Sequence, residues 1–113
     1  MRVKRNFTIG IIGLGLALGS LSDASAANFK QTHPRRAEVN HRLAVENARI
    51  HRNVMEGKIT PQEAATLHKE VHGVRTQERL DASLNNGHIT KSEQRALNQN
   101  ENAISKQIYQ AAH

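Results

Sequence analysis

The chain has no cysteine and no tryptophan, and its 113 residues include two prolines, two phenylalanines and one tyrosine. Without cysteine there is no disulfide to staple the fold, no thiolate nucleophile or metal ligand, and no acylation site of a bacterial lipoprotein. The fold must therefore close on side-chain packing alone. Past residue 26 the aromatics are Phe29 and Tyr109, too few for a stacking platform that would hold single-stranded nucleic acid or sugars. There is no Gly-x-Ser-x-Gly elbow, no glycine-rich phosphate loop and no paired carboxylates in a recognisable catalytic setting, so the chain reads as a non-enzyme. No adjacent arginine pair occurs near the N-terminus, which argues against export of a folded, cofactor-loaded protein. The sequence requires no cofactor.

What is present begins with Met-Arg-Val-Lys-Arg at residues 1–5, an apolar stretch from Phe7 to Leu21, and Ala24-Ser25-Ala26 ahead of Ala27. A cationic start, an apolar middle and a small-residue cleavage site, in that order, make a secretory signal peptide. The apolar run falls short of the roughly 20 residues a spanning helix needs, and it contains four glycines. The expected organisation is a signal peptide over 1–26, a flexible tail over 27–36 and a helical domain over 37–113. The expected location is the periplasm or beyond, with no transmembrane helix in the mature protein. The part after residue 26 keeps 13 Lys and Arg, nine Asp and Glu and all seven histidines. It is moderately basic, and export argues against double-stranded DNA as the target.

One phrase occurs twice, thirty residues apart: Gly57-Lys-Ile-Thr-Pro-Gln-Glu63 and Gly87-His-Ile-Thr-Lys-Ser-Glu93. In each copy the glycine (Gly57, Gly87) can end a helix in the left-handed region and Ile59 or Ile89 can serve as a hydrophobic staple. Thr60 or Thr90 is a good N-cap, and Glu63 or Glu93 can close a capping box. The spacing predicts three helices. The first runs from Ala37 to Glu56 with Val39, Leu43, Ile50 and Val54 on one face and Asn47 in the vacant turn. The second runs from Thr60 toward Asn86, with Ala64, Leu67, Val71 and Val74 on one stripe and Leu80 and Leu84 on another. Gly73 near the changeover predicts a bend or a close contact. The third starts at Thr90 and carries Leu97, Ile104 and Ile108. Superposing Gly57 on Gly87 matches Ile50 with Leu80, Val54 with Leu84, Ile59 with Ile89, Leu67 with Leu97 and Val74 with Ile104, the mark of a duplicated helix-joint-helix unit. Asn47, Glu78 and Asn100 fall close to the stripes. So thin an aliphatic core, at about 25 cal/mol per Å² buried, leaves room for self-association or folding with a partner.

The joints also resemble the second half of a calcium-binding EF-hand loop. The early ligand positions would then be Arg52, Val54 and Glu56, or Ala82, Leu84 and Asn86, which lack the clustered oxygens calcium needs. The capping box is the better reading. On the second helix His68, His72, Arg75 and Arg79 make a ridge at steps of 4, 3 and 4. A solvated face is the bland reading of such a ridge. Its functional reading is an anion- or partner-binding surface, because forked guanidinium donors match phosphates and carboxylates. The alternative is a transition-metal site for Cu, Ni or Zn at His68 and His72, completed by His41, His51 or another chain; the neighbouring arginines oppose it. Arg35 and Arg36 form a second basic cluster just before the first helix, where positive charge is the unfavourable sign for the helix dipole.

The segments His-Pro-Arg-Arg-Ala-Glu-Val-Asn at 33–40 and Gly-His-Ile-Thr-Lys-Ser-Glu-Gln-Arg-Ala-Leu-Asn-Gln at 87–99 resemble a group of small exported proteins of Gram-negative bacteria. That resemblance implies a compartment and supplies no functional residues. The reading is an all-α domain of three helices, non-catalytic, serving as an interaction or stress-related accessory protein for an anionic envelope component or protein partner. Intact-mass measurement of the protein released from the periplasm is expected to give a chain beginning at Ala27; retention of residues 1–26 would contradict the leader.

Overall fold

A computed structural model describes residues 27–113. The expected signal peptide lies outside the described residues. Three helices follow one another as α1 (Pro34–Met55), α2 (Pro61–Ser83) and α3 (Lys91–Ala112). No strand occurs among the described residues, and the all-α, three-helix domain expected from the spacing is what the chain forms. No helix among them is long and apolar enough to cross a membrane.

Residues 33–113 form one compact unit, and the helical residues 27–32 belong to another. In that second unit the Thr32 hydroxyl donates to the Asn28 carbonyl at 3.1 Å. The tail expected over 27–36 is therefore corrected on both sides of His33. Pro34 does not introduce an extended segment; it occupies the first turn of α1, where a missing N–H costs nothing and the fixed φ already suits a helix.

The two joints are built as the repeated phrase predicts, with one difference. At the end of α1 Gly57 takes φ +74°, its N–H donates to the Val54 carbonyl at 3.0 Å, and the Lys58 N–H donates to the Asn53 carbonyl at 2.8 Å. That pair of bonds satisfies carbonyls the helix end leaves open. At the end of α2 the corresponding long bond, from the Gly87 N–H to the Ala82 carbonyl at 2.8 Å, arrives one residue earlier relative to the phrase. Asn86 takes the left-handed position with φ +54°, and Gly87 follows at +87°. Beyond each joint the capping box closes. Thr60 Oγ1 accepts from the Glu63 N–H at 3.1 Å while the Thr60 N–H donates to Glu63 Oε1 at 2.9 Å. Thr90 and Glu93 repeat this at 3.0 and 2.8 Å. Both glutamates are thus committed to the backbone, where a calcium loop would need them as ligands.

Side-chain bonds fix the helix directions. Arg36 meets Glu78 and Asn47 meets His68, so α1 and α2 run antiparallel. Glu38 meets Gln94, Arg42 meets Asn102 and Arg49 meets Ser105, so α1 and α3 run parallel. The result is an up-down-up bundle in which each helix packs on the other two. Its core is Val39, Leu43, Ile50, Ile59, Ala64, Leu67, Val71, Val74, Ala82, Ile89, Leu97, Ile104 and Ile108. Every one of these lies within the 33–113 unit, which closes its core with its own residues.

Three sequence expectations need correction. The vacant turn of α1 is filled by Glu46 and not by Asn47. The matched pairs Ile50 with Leu80 and Val54 with Leu84 are not structurally equivalent, because Leu80 and Leu84 are 51% and 77% exposed. The C-terminal half of α2 buries Glu78 and Ala82 in their place. Gly73 makes no close contact within the continuous helix α2, since nothing lies within 4 Å of where its Cβ would stand. Substituting Thr90→Ala removes one cap and is expected to lower stability by about 1 kcal/mol; Gly57→Ala, forced to a positive φ, is expected to cost a similar amount. Urea denaturation followed by circular dichroism reads both.

Candidate functional site

The core carries a carboxylate on each helix. Glu46 is 3% exposed, Glu78 1% and Glu101 0%. On α1 the sequence Val39, Leu43, Glu46, Ile50 and on α3 the sequence Leu97, Glu101, Ile104, Ile108 advance by steps of 4, 3 and 4 or 4, 3 and 4 again. These are the intervals that keep residues on one face of a helix, so both glutamates stand in the buried seam. Sequence reasoning placed Asn47 and Asn100 near it instead, one residue away in each case. Counting in strict steps of three and four from Leu43 or Leu97 would have reached the glutamates.

Two arginines of α1, Arg36 and Arg42, are spent on this buried acid. Arg36 makes a two-pronged contact with Glu78, through Nε to one carboxylate oxygen and through Nη2 to the other at 3.3 Å, while its Nη1 donates to the Gly87 carbonyl at 3.2 Å. Arg35 donates to the Ile89 carbonyl at 3.4 Å. The cluster at the start of α1 therefore ties that helix to the α2–α3 joint. A positive charge that the helix dipole disfavours is held there by a buried carboxylate. Arg42 approaches Glu101 to 3.6 Å and also bonds Asn102, and Arg49 donates to Ser105 Oγ at 2.6 Å. Of the six residues read from sequence as anion-binding, Arg35 and Arg36 thus act within the fold.

Glu46 Oε1 and both carboxylate oxygens of Glu101 have no hydrogen-bond partner in the protein. Burial pushes the Glu46 carboxyl up to about 7, against the pull of Arg42 and Arg49. Burial raises Glu101 to about 8, opposed by Arg42 and reinforced by the like charges of Glu46 and Glu38. Taking a carboxylate out of water disfavours its charged form, and a cation at 3.6 Å outside hydrogen-bonding geometry does not make up the loss.

The remaining four residues, His68, His72, Arg75 and Arg79, lie together on α2. His68 donates from Nδ1 to Asn47 Oδ1 at 2.8 Å, which sets the ridge on the flank of α2 that faces α1. His72 and Arg79 are exposed and Arg75 is half-buried. Neither arginine has an ion pair or a side-chain hydrogen bond: the salt bridges among the described residues are Arg36–Glu78, Arg42–Glu101 and Lys58–Glu56. The acidic side chains of α2 lie elsewhere. Glu63 and Glu70 line the grooves between α2 and α3, Asp81 takes a bond from Gln77 at 2.9 Å, and Glu78 is inside. Charge on this helix is sorted by flank.

For the metal alternative, the Nδ1 bond of His68 leaves Nε2 as its free donor, and His72 adds one more. Among the described residues no group of three or more His, Cys, Asp or Glu is placed to hold an ion. A second cationic place is the cleft of about 360 Å³ where α1 and α3 end, lined by Arg49, Arg52, Lys58, Tyr109 and His113 among others. There Arg49 is tied to Ser105 and Lys58 to Glu56, and the Tyr109 and His113 rings stack on each other at 4.1 Å.

The fold defines a small all-α bundle in which, among the described residues, the Arg75–Arg79 flank of α2 carries no ion pair. No protein-family model matches the chain, and neither curated proteins nor solved structures give a significant match.

Linkage gives the buried carboxyls a sign. Their folded values stand above the ordinary 4.5, so between that value and about 8 the folded state holds protons the unfolded state has released. Their contribution is fully present below about 4.5 and is lost as pH rises to about 8. The urea midpoint is expected to fall from pH 5 to pH 8, and Glu101→Gln is expected to flatten that fall and raise stability at pH 8 on the order of 2 kcal/mol. A midpoint unchanged across this range would contradict the assignment.

Proposed function

We propose that this chain is an exported, non-catalytic accessory protein that docks an anionic partner on the α1-facing flank of α2, through Arg75 and Arg79 with His68 and His72 beside them. One observation supports it above the rest. The arginines of α1 that contact a buried or joint-forming group (Arg35, Arg36, Arg42 and Arg49) are all engaged by the fold, whereas Arg75 and Arg79 have no acidic partner although α2 itself carries four acidic residues. A helix that keeps its carboxylates on one flank and its cations on the other presents a surface whose charge is complementary to an anion. Arginine suits this work, because its planar fork matches phosphate and carboxylate oxygens in pairs. The leader expected from sequence and the resemblance to small exported proteins are consistent with a partner in the cell envelope.

Titration of dextran sulfate, a soluble polyanion, into residues 27–113 tests the reading. Binding is expected to weaken steeply with added salt. Arg75→Gln combined with Arg79→Gln is expected to reduce affinity about tenfold or more, at roughly 1 kcal/mol for each arginine at an anionic surface. Arg95→Gln, on exposed α3 surface, is expected to leave it nearly unchanged. Equal losses in the two variants, or no binding at all, would overturn the assignment.

A further inference from the structure

We infer that the groove between α2 and α3, lined by those two helices alone, is a second docking surface and takes a cationic amphipathic helix of a partner protein; this stands apart from the docking reading above. The groove runs in two stretches of about 400 and 320 Å³ that meet at Gln107. Its floor is apolar, with Val74 and Ile104 under the first stretch and Leu67 under the second. Among the described residues no Lys, Arg or His lines either stretch, although the sequence has 16 Lys and Arg against 10 Asp and Glu. The charged groups there are Glu70 and Glu63, and Asp81 is bonded by the groove residue Gln77 at 2.9 Å. Carboxylates without cations, on an otherwise basic chain, make this groove complementary to a positively charged partner.

Two features that the fold leaves unused point to a helix as the occupant. Gly73 is exposed and lines the groove, and nothing lies within 4 Å of where its Cβ would stand. Glycine inside a helix is less favourable than alanine, and no contact in the bundle offsets that here; a glycine at the wall lets a partner's backbone come close. Leu80 and Leu84, exposed by 51% and 77%, stand seven residues beyond Gly73 and Gln77, which places them two turns further along the same side of α2. They extend the apolar path past the end of the groove. From Glu63 to Leu84 the path covers about 30 Å, the length of about 21 helical residues. An amphipathic helix seats its apolar face in a groove of this kind, and a fourth helix beside an antiparallel pair is the packing of a four-helix bundle. A small cation would meet the carboxylates and leave the floor and the leucines in water. A second copy of this chain would offer its Arg75–Arg79 flank, but the exposed large apolar side chains among the described residues are Val45, Met55, Leu80, Leu84 and Tyr109. None stands on that flank, so it cannot fill the floor.

The probe is a fluorescein-labelled peptide of about 21 residues, with leucines at helical spacing on one face and lysines elsewhere, titrated with residues 27–113 and read by fluorescence anisotropy. Saturable binding is expected. The same composition with leucine and lysine alternating, and a version with glutamate for lysine, are each expected to bind about tenfold more weakly or worse. Gly73→Gln combined with Ala103→Gln, both on exposed groove wall, is expected to keep the helices by circular dichroism and to weaken binding by about tenfold or more. Glu70→Gln combined with Asp81→Asn is expected to weaken binding and to lessen its salt dependence, and Leu80→Ser combined with Leu84→Ser to weaken it severalfold. Arg75→Gln combined with Arg79→Gln is expected to leave the peptide bound, and the groove variants to leave dextran sulfate binding unchanged, so each docking reading can fail alone. Absence of binding, equal binding of the alternating or acidic peptide, or full affinity in the Gly73 and Ala103 variant overturns the inference. Concentration-dependent self-association in sedimentation velocity that the same variant abolishes gives the groove to a second copy and overturns the partner helix.

Discussion

The arginines of α1 have to answer for carboxylates buried on all three helices, and the arrangement of the bundle follows from that requirement. Arg36 reaches across to Glu78 of α2, and Arg42 turns toward Glu101 of α3. Both arginines, with Arg49, lie along one helix at spacings of six and seven residues, which points one toward α2 and two toward α3. A buried carboxylate whose cation is removed is strongly destabilising, although the same pair contributes little net stability when intact. Pairs of this kind set register more than they add strength. In a core of mid-sized aliphatics that could slide past one another, Arg36 on both Glu78 and the Gly87 carbonyl fixes the height of α1 against the second joint.

The three carboxylates are not equivalent, and the difference is geometric. Glu78 receives a guanidinium on both oxygens. Glu101 has a cation nearby that does not bond it, and Glu46 has an orphaned oxygen with two arginines in its field. Glu101 and Glu46 therefore hold their protons near neutral pH, and the bundle tolerates them as neutral acids more readily than as ions. The same inward demand explains what is left outside. Four of the five α1 arginines are drawn inward, to the joint or onto α3, whereas Arg75 and Arg79 are left without a partner on α2, whose own acids sit on the α3 flank or in the core. The basic flank is a residue of how the fold distributes charge, and that is why it stays unneutralised.

Much of the frame could be read from residues alone. The repeated Gly-x-Ile-Thr-x-x-Glu phrase contains local chemistry complete in itself: a left-handed glycine, a buried isoleucine and a reciprocal cap need no distant partner. The joints, helix number and helix order were legible for that reason, as was the stripe from Ala64 to Val74. The roles of Arg35 and Arg36 were not, because they depend on Glu78 and on carbonyls more than forty residues away. Residue type misled at positions 46 and 101, where the helical period asks for an inward side chain and the side chain is a glutamate. A pattern search that looks for apolar residues skips such a position and settles on its neighbour. The start of α1 was placed late at Ala37 because Pro34 reads as a breaker when its place as the first helical residue is not yet known.

The duplication itself accounts for the exposed leucines. If the chain arose from two copies of a helix-joint-helix unit, α2 is both the second helix of one copy and the first helix of the next. As a second helix it offers Leu67 and Val74, the partners of Leu97 and Ile104. As a first helix it offers Leu80 and Leu84, the partners of Ile50 and Val54. The intervals between these two sets turn the second pair roughly 110° round a continuous helix, and a three-helix bundle has one interior. Only one set can be buried. The bundle buries the first, completes the stripe with Glu78 and Ala82, and leaves the second in solvent. Polar substitution at Leu80 and Leu84 would remove an exposed apolar pair without disturbing any core contact, so nothing in the fold requires leucine there.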